Sequence, residues 1–130
     1  MPNANKVRFL TPKSPKADRA SDAEHYRPLF IFLPGMDGSG LLLRPQISKL
    51  ANHFDIRCLT LPADDIASWE VLVSETIALI EAEKQAGKQQ RPVYLCGESF
   101  GGCLAMKIVL EAPQLCDRLI LVNPASSFRQ

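Results

Sequence analysis

Gly97-Glu98-Ser99-Phe100-Gly101 is the stretch whose residue types and spacing could do chemistry. A short β-rich apolar run, Val93 to Cys96, leads straight into it, and good helix formers follow without a gap. Strand, sharp turn and helix put a serine at the apex. In so tight a turn Gly97 and Gly101 lack the Cβ atoms that would collide where strand and helix cross, and Ser99 is forced into a strained conformation with its hydroxyl held out. The helix that begins beside it brings a positive dipole end and free N–H groups, with the Phe100 amide placed to donate to a developing oxyanion. A bare G-x-S-x-G also arises by chance, and then reads as a glycine-rich loop whose serine caps a helix. The strand before and the helix after favour a nucleophile over a cap.

A second loop of interest follows Leu29 to Leu33, a continuous apolar run with the pattern of a strand covered on both faces. It ends at Pro34-Gly35-Met36-Asp37-Gly38-Ser39-Gly40. A phosphate cradle needs a lysine and a Ser or Thr after the last glycine, and Leu41 to Leu43 stand there instead; the dinucleotide spacing G-x-G-x-x-G is not met either. Two readings are left. One is a plain turn; the other is an oxyanion hole, in which the amide just after the Pro-Gly pair, that of Met36, turns toward the nucleophile.

The remaining elements must position these loops. Apolar spacing at Leu43, Ile47, Leu50 and Phe54 predicts a helix over 43–54, with His53 at its end, where the helix dipole favours an imidazole. Ile56 to Leu61 reads as a strand closed by Pro62. Asp64 and Asp65 read as a helix cap rather than a metal or acid pair. An amphipathic helix follows over 68–86, burying Trp69, Leu72, Val73, Thr76, Ile77 and Ile80, with Gly87 as its stop. Pro113 ends the helix after the serine, and Leu119 to Val122 reads as another strand, stopping at Asn123. This alternation predicts an α/β fold, a mostly parallel sheet with helices on both faces. Ligands in such sheets bind at the carboxyl ends of the strands, where the Gly35 loop, Ser99 and Asn123 all fall.

Composition narrows the function classes. With 130 residues, 46% hydrophobic, 22% charged and a net charge of +1, the chain reads as one ordinary globular domain with no bias toward nucleic acid. Its apolar runs are far short of the roughly 20 residues that span a bilayer, which leaves peripheral membrane contact open. Cys58, Cys96, Cys103 and Cys116 contain no C-x-x-C, and they read as buried small hydrophobes in a reduced compartment. No metal or organic cofactor is implied, and nothing sets the oligomeric state. Residues 1–27 are polar and mixed in charge and read as a mobile lead-in, with a short strand allowed at Val7 to Leu10. Met1 to Lys6 lack the apolar core of a secretory signal, so a cytoplasmic placement is expected.

Leu33-Pro34-Gly35-Met36-Asp37-Gly38-Ser39-Gly40, Gly97-Glu98-Ser99-Phe100-Gly101-Gly102 and Asn123-Pro124-Ala125-Ser126-Ser127-Phe128, in that order, resemble the α/β-hydrolase superfamily. Within it the chain is similar to the esterase, lipase and thioesterase group that includes phytyl ester synthases and diacylglycerol acyltransferase-like proteins. The similarity runs from about Pro28 to Phe128. The resemblance implies Ser99 as nucleophile, the Met36 and Phe100 amides as oxyanion donors, and a small-molecule acyl lipid, either an ester or a thioester, as substrate. The acyl group would pass to an alcohol in the synthases and to water in the esterases. One departure stands out. In this superfamily an acid and a histidine follow the serine, but His25 and His53 both precede Ser99, and Asp117 comes before a strand rather than after one. A serine with no base to take its proton is a poor nucleophile. The expectation is therefore that 28–130 is the amino-terminal half of a hydrolase domain; the alternative is an inactive hydrolase-like domain kept for binding.

Overall fold

The computed structural model of the chain describes residues 7–12, 27–35, 46–61, 68–86 and 90–122. Five strands form one sheet: β1 (Arg8–Leu10), β2 (Leu29–Leu33), β3 (Asp55–Thr60), β4 (Val93–Glu98) and β5 (Arg118–Val122), in the spatial order β1-β3-β2-β4-β5. β2, β3, β4 and β5 run parallel, and β1 closes one side antiparallel to β3. The helices are α1 (Ile47–Leu50), α2 (Trp69–Ala86) and α3 (Phe100–Glu111), followed by a 3-10 turn over Pro113–Leu115. The expected α/β architecture is observed. β1 lies inside the stretch read as a lead-in, and Val7 just before it is buried in the core.

β2 is the middle strand of the sheet, and every one of its residues is buried. Its side chains alternate between two layers, as the period of an extended strand requires. Leu29, Ile31 and Leu33 join Leu59, Val93 and Leu95 beneath Leu72, Val73 and Ile80 of α2 and Leu104, Ala105 and Ile108 of α3. Phe30 and Phe32 face the other way, with Ile56, Cys58 and Cys96, toward Ile47, Leu50 and Ala51. Helical cover on both faces is what lets the parallel strands read as unbroken apolar runs.

Two helix ends differ from expectation. α1 stops at Leu50, and the chain turns through Ala51, Asn52 and His53, whose tightening bonds include Asn52 N–H to the Lys49 carbonyl (3.3 Å) and His53 N–H to the Leu50 carbonyl (2.9 Å). Phe54 fits a helical stripe by spacing but packs as an aromatic neighbour of Phe30 (5.3 Å) and Tyr94 (4.9 Å), and the chain must leave the helix to enter β3 at Asp55. Leu43 lies outside the described residues. At α2 the cap is Ser68, whose hydroxyl oxygen accepts the Val71 N–H at 3.1 Å. Asp64, Asp65 and Gly87 lie outside the described residues.

The amino edge of the sheet is held by charge. Arg57 meets Asp55 at 2.6 Å and Glu83 at 3.2 Å, and Arg91 meets the other Asp55 oxygen at 2.9 Å. Burial opposes the Asp55 charge, but Arg57 and then Arg91 outweigh it by hydrogen bonding and by charge, and the carboxyl lies below its ordinary range. Asp117 braces the same edge: its carboxylate accepts the Val93 N–H at 2.8 Å, and its own N–H donates to the Val93 carbonyl at 2.9 Å. At the far side of the sheet β5 is an edge among the described strands. Leu119, Ile120, Leu121 and Val122 are 39%, 38%, 36% and 41% exposed.

Candidate active site

β4 ends at Glu98 and α3 begins at Phe100, so one residue, Ser99, must reverse the chain. It does so at φ 53° and ψ −115°, in the region of positive φ that side chains avoid. The turn is pinned on both sides. The Ser99 N–H donates to the Val122 carbonyl at 3.1 Å, and the Ser99 carbonyl accepts the N–H groups of Gly102 (2.8 Å) and Cys103 (3.3 Å). The hydroxyl makes no capping hydrogen bond to α3. An N-cap serine has β-region dihedrals and spends its oxygen on the first turn of the helix. Ser99 does neither, so the cap reading of this motif does not describe it.

The glycines explain why the turn can close. A Cβ on Gly101 would strike the Leu33 carbonyl oxygen and come within 2.6 Å of the Pro34 oxygen, because the start of α3 crosses directly over the end of β2. A Cβ on Gly97 would strike the Gly101 carbonyl and lie 2.7 Å from the Gly102 Cα. Gly35 is less crowded: a Cβ there would sit 3.7 Å from the Ser99 Cβ and 3.6 Å from a Glu98 carboxylate oxygen. The loop that leaves β2 therefore starts beside the serine. Met36, the next residue, lies outside the described residues, as do His25 and Asn123.

Phe100 opens α3, where an N–H has no partner one turn back within the helix. Its ring stacks on Trp69, the first residue of α2, with centroids 4.7 Å apart and planes at 23°. Lys107 Nζ lies 5.2 Å from the centre of the same indole. The sequence pattern had placed Trp69 only in a buried stripe. Nothing in a periodicity marks a contact between the starts of two helices 31 positions apart, although a tryptophan at the first position of a helix is a signal of its own.

The other titratable residues considered from sequence are elsewhere. His53 is exposed in the turn before β3, and Asp117 is bound to Val93 at the start of β4. Both sit at the amino edge. Six residues of β4 at about 3.3 Å each separate that edge from Ser99 by roughly 20 Å. Cys58 and Cys96 are buried, and burial pushes each thiol up to about 11, with Glu98 adding to the effect at Cys96. Cys103 and Cys116 are only half-buried, a departure from the buried reading. Among the described residues no group of three His, Cys, Asp or Glu side chains is placed to hold a metal ion. No described helix is long and apolar enough to cross a membrane.

A serine at positive φ between a parallel strand and a helix, with glycines where the two cross, has the backbone form of the G-x-S-x-G elbow in an α/β-hydrolase fold. The family described as serine aminopeptidase, S33, matches residues 63–130, and the chain belongs to this α/β-hydrolase family. Phytyl ester synthase 1, chloroplastic, of Arabidopsis thaliana is 42% identical over 101 residues, 78% of this chain and 14% of that protein. Phytyl ester synthase 2, chloroplastic, of the same plant is 41% identical over 102 residues, 76% of this chain and again 14% of the relative. The chain thus spans about a seventh of the length of these relatives. MenH from S. aureus shares the fold, with a TM-score of 0.70 at 15% identity over 96% of this chain and 44% of that one.

Proposed function

We propose that Ser99 is the nucleophile of an acyl hydrolase or acyltransferase acting on a fatty acyl ester or thioester, and that residues 28–130 form the amino-terminal half of its domain. The observation that carries this is the positive φ of Ser99 together with a hydroxyl that makes no bond to the helix it precedes. Strain of this kind costs on the order of 1–3 kcal/mol and persists where the surroundings enforce it. In the proposed reaction the Ser99 oxygen adds to the acyl carbonyl carbon while a base takes the hydroxyl proton. The carbonyl oxygen becomes an oxyanion facing the amides of Phe100 and Met36. Collapse breaks the bond to the leaving alcohol or thiol, which receives the proton from the same base, and an acyl-serine ester remains. Water or a second alcohol then attacks that ester by the reverse sequence. The relatives named phytyl ester synthases favour a long-chain alcohol as acceptor.

The base is not His53 and the orienting acid is not Asp117, since both sit across the sheet from Ser99. The proposal assigns these roles to residues outside the described ones. The cytoplasmic placement read from Met1 to Lys6 belongs to the same proposal, and cell fractionation decides between it and the chloroplast in which the two plant relatives are named. A fluorophosphonate probe applied to the protein in extracts of its source tests the site. Labelling on the peptide carrying Ser99, abolished by Ser99→Ala, is the expected result; labelling that survives the substitution overturns it.

The distance of His53 and Asp117 from the serine also favours a second reading, a hydrolase-like domain without catalysis that serves as a binding module. It requires the 130-residue chain to unfold in one cooperative transition. A broad, probe-dependent transition, or expression only as aggregate, rules it out.

A further inference from the structure

The carboxyl edge holds one arrangement that the proposed mechanism does not use. Trp69 and Phe100 each open a helix, α2 and α3, and their rings stack at 4.7 Å and 23°. Lys107 lies two helical turns beyond Phe100, on the same face of α3, and sets its ammonium 5.2 Å from the indole centre. The indole is therefore held to α3 at two points.

The place of that clamp matters because of what surrounds Phe100. Before it is Ser99 at φ 53° and ψ −115°, and after it come Gly101 and Gly102. Glycine restricts the backbone least of all residues. Gly97 and Gly101 are bare by necessity and Gly102 has no side chain, so the phenyl ring is the apolar side chain of the elbow through which packing can fix the turn. The peptide between Ser99 and Phe100 carries the N–H proposed as an oxyanion donor. A rotation there swings that N–H away and also pulls the Ser99 carbonyl off the Gly102 and Cys103 N–H groups that hold it at 2.8 and 3.3 Å. Stacking the ring on Trp69 adds a side-chain restraint to those backbone bonds.

We propose that Trp69 is a positioning residue for the oxyanion hole, acting through the Phe100 ring on the direction of the Phe100 N–H. The inference rests on the reading of Ser99 as nucleophile and adds a role for the start of α2. Losing one oxyanion donor costs about 100- to 1,000-fold in kcat, and a donor misplaced rather than removed costs less. A reduction on the order of tenfold or more is expected for Trp69→Ala.

The test is acyl-ester turnover by the native-length protein, with active sites counted by fluorophosphonate titration so that misfolded molecules drop out. Expected results are a kcat per titrated site lower by about tenfold or more in Trp69→Ala, with KM within about twofold. Trp69→Phe, which keeps an aromatic face, should recover to within about threefold of the parent, and Trp69→Leu, which keeps bulk alone, should not. Should Trp69→Ala fail to fold, the comparison of Trp69→Phe with Trp69→Leu decides. Equal recovery by Phe and Leu, or a Trp69→Ala variant with the parent's kcat per site, overturns the proposal and leaves Ser99 in its role. A parent protein that takes no label at Ser99 overturns the nucleophile reading first, and this inference with it.

Discussion

Replacing Ser99 by glycine should stabilise the protein while removing the proposed nucleophile. The serine sits at φ 53° and ψ −115°, where a Cβ is strained. Such conformations cost about 1–3 kcal/mol, and glycine adopts them freely. Against that gain, the unfolded chain with glycine has more freedom, worth about 0.5–1 kcal/mol relative to alanine. Ser99→Ala is the control, since it removes the hydroxyl and keeps the Cβ. The net expectation is that Ser99→Gly exceeds Ser99→Ala in stability by roughly 0.5–2 kcal/mol, or about 2–10 °C in melting temperature for a domain of this size. Urea unfolding of the two variants, fitted with a common slope, measures the difference. At a relaxed position the order reverses, with alanine the more stable. Finding alanine equal or better would refute the claim that Ser99 is strained, and with it the structural case for an elbow.

Gly101→Ala should destabilise by about 3 kcal/mol or more, because its methyl meets backbone oxygens of Leu33 and Pro34 that cannot yield, whereas Gly35→Ala, in ordinary contact, should cost under about 1 kcal/mol; thermal melts compare them. Asp55→Asn should cost about 1–3 kcal/mol near neutral pH. Because Arg57 and Arg91 hold the folded Asp55 carboxyl below the unfolded value of 3.8, its contribution is present above that pH and is lost as pH falls through the folded value. Urea midpoints of parent and variant should therefore converge in acid. Cys58 and Cys96, with thiols raised to about 11 by burial, should resist iodoacetamide at pH 8 until the protein unfolds, as peptide mapping will show. In the 130-residue chain expressed alone, Ile120→Lys, placing a charge in the exposed apolar β5, should lower light scattering at high concentration with little change in melting temperature.

What the sequence made legible follows from how local each signal is. The elbow lies within one short stretch, and its glycines, serine and flanking periods all report on a single turn, so Ser99 and the strand–turn–helix around it could be placed in advance. The strands of the sheet announced themselves because both faces of β2 are covered, which makes Leu29 to Leu33 an unbroken apolar run. The overlong α1 shows the limit of periodicity. Phe54 falls on helical spacing from Leu50 and Ile47, yet its ring is equally suited to the aromatic group with Phe30 and Tyr94. Only the fold decides between those. Contacts between distant positions carried no signal at all: Arg91 to Asp55 spans 36 positions, and Trp69 meets Phe100 through the meeting of two helix starts.

The two edges of the sheet divide the work, and this division explains why His53 and Asp117, at the amino edge, lie far from Ser99. Ion pairs and braces gather where the parallel strands begin: Asp55, Arg57, Arg91 and Glu83 on one side, and Asp117 tying β5 to β4 on the other. There the charged groups pair with one another. At the carboxyl edge the order is reversed, with a strained serine, bare glycines and first-turn amides that lack helical partners. A parallel sheet makes this asymmetry natural, since every strand delivers its outgoing loop to the same side. In the proposed reaction the base that serves Ser99 must come from a loop on that side. The Val122 carbonyl accepts the Ser99 N–H, so the carboxyl end of β5 lies within one hydrogen bond of the elbow.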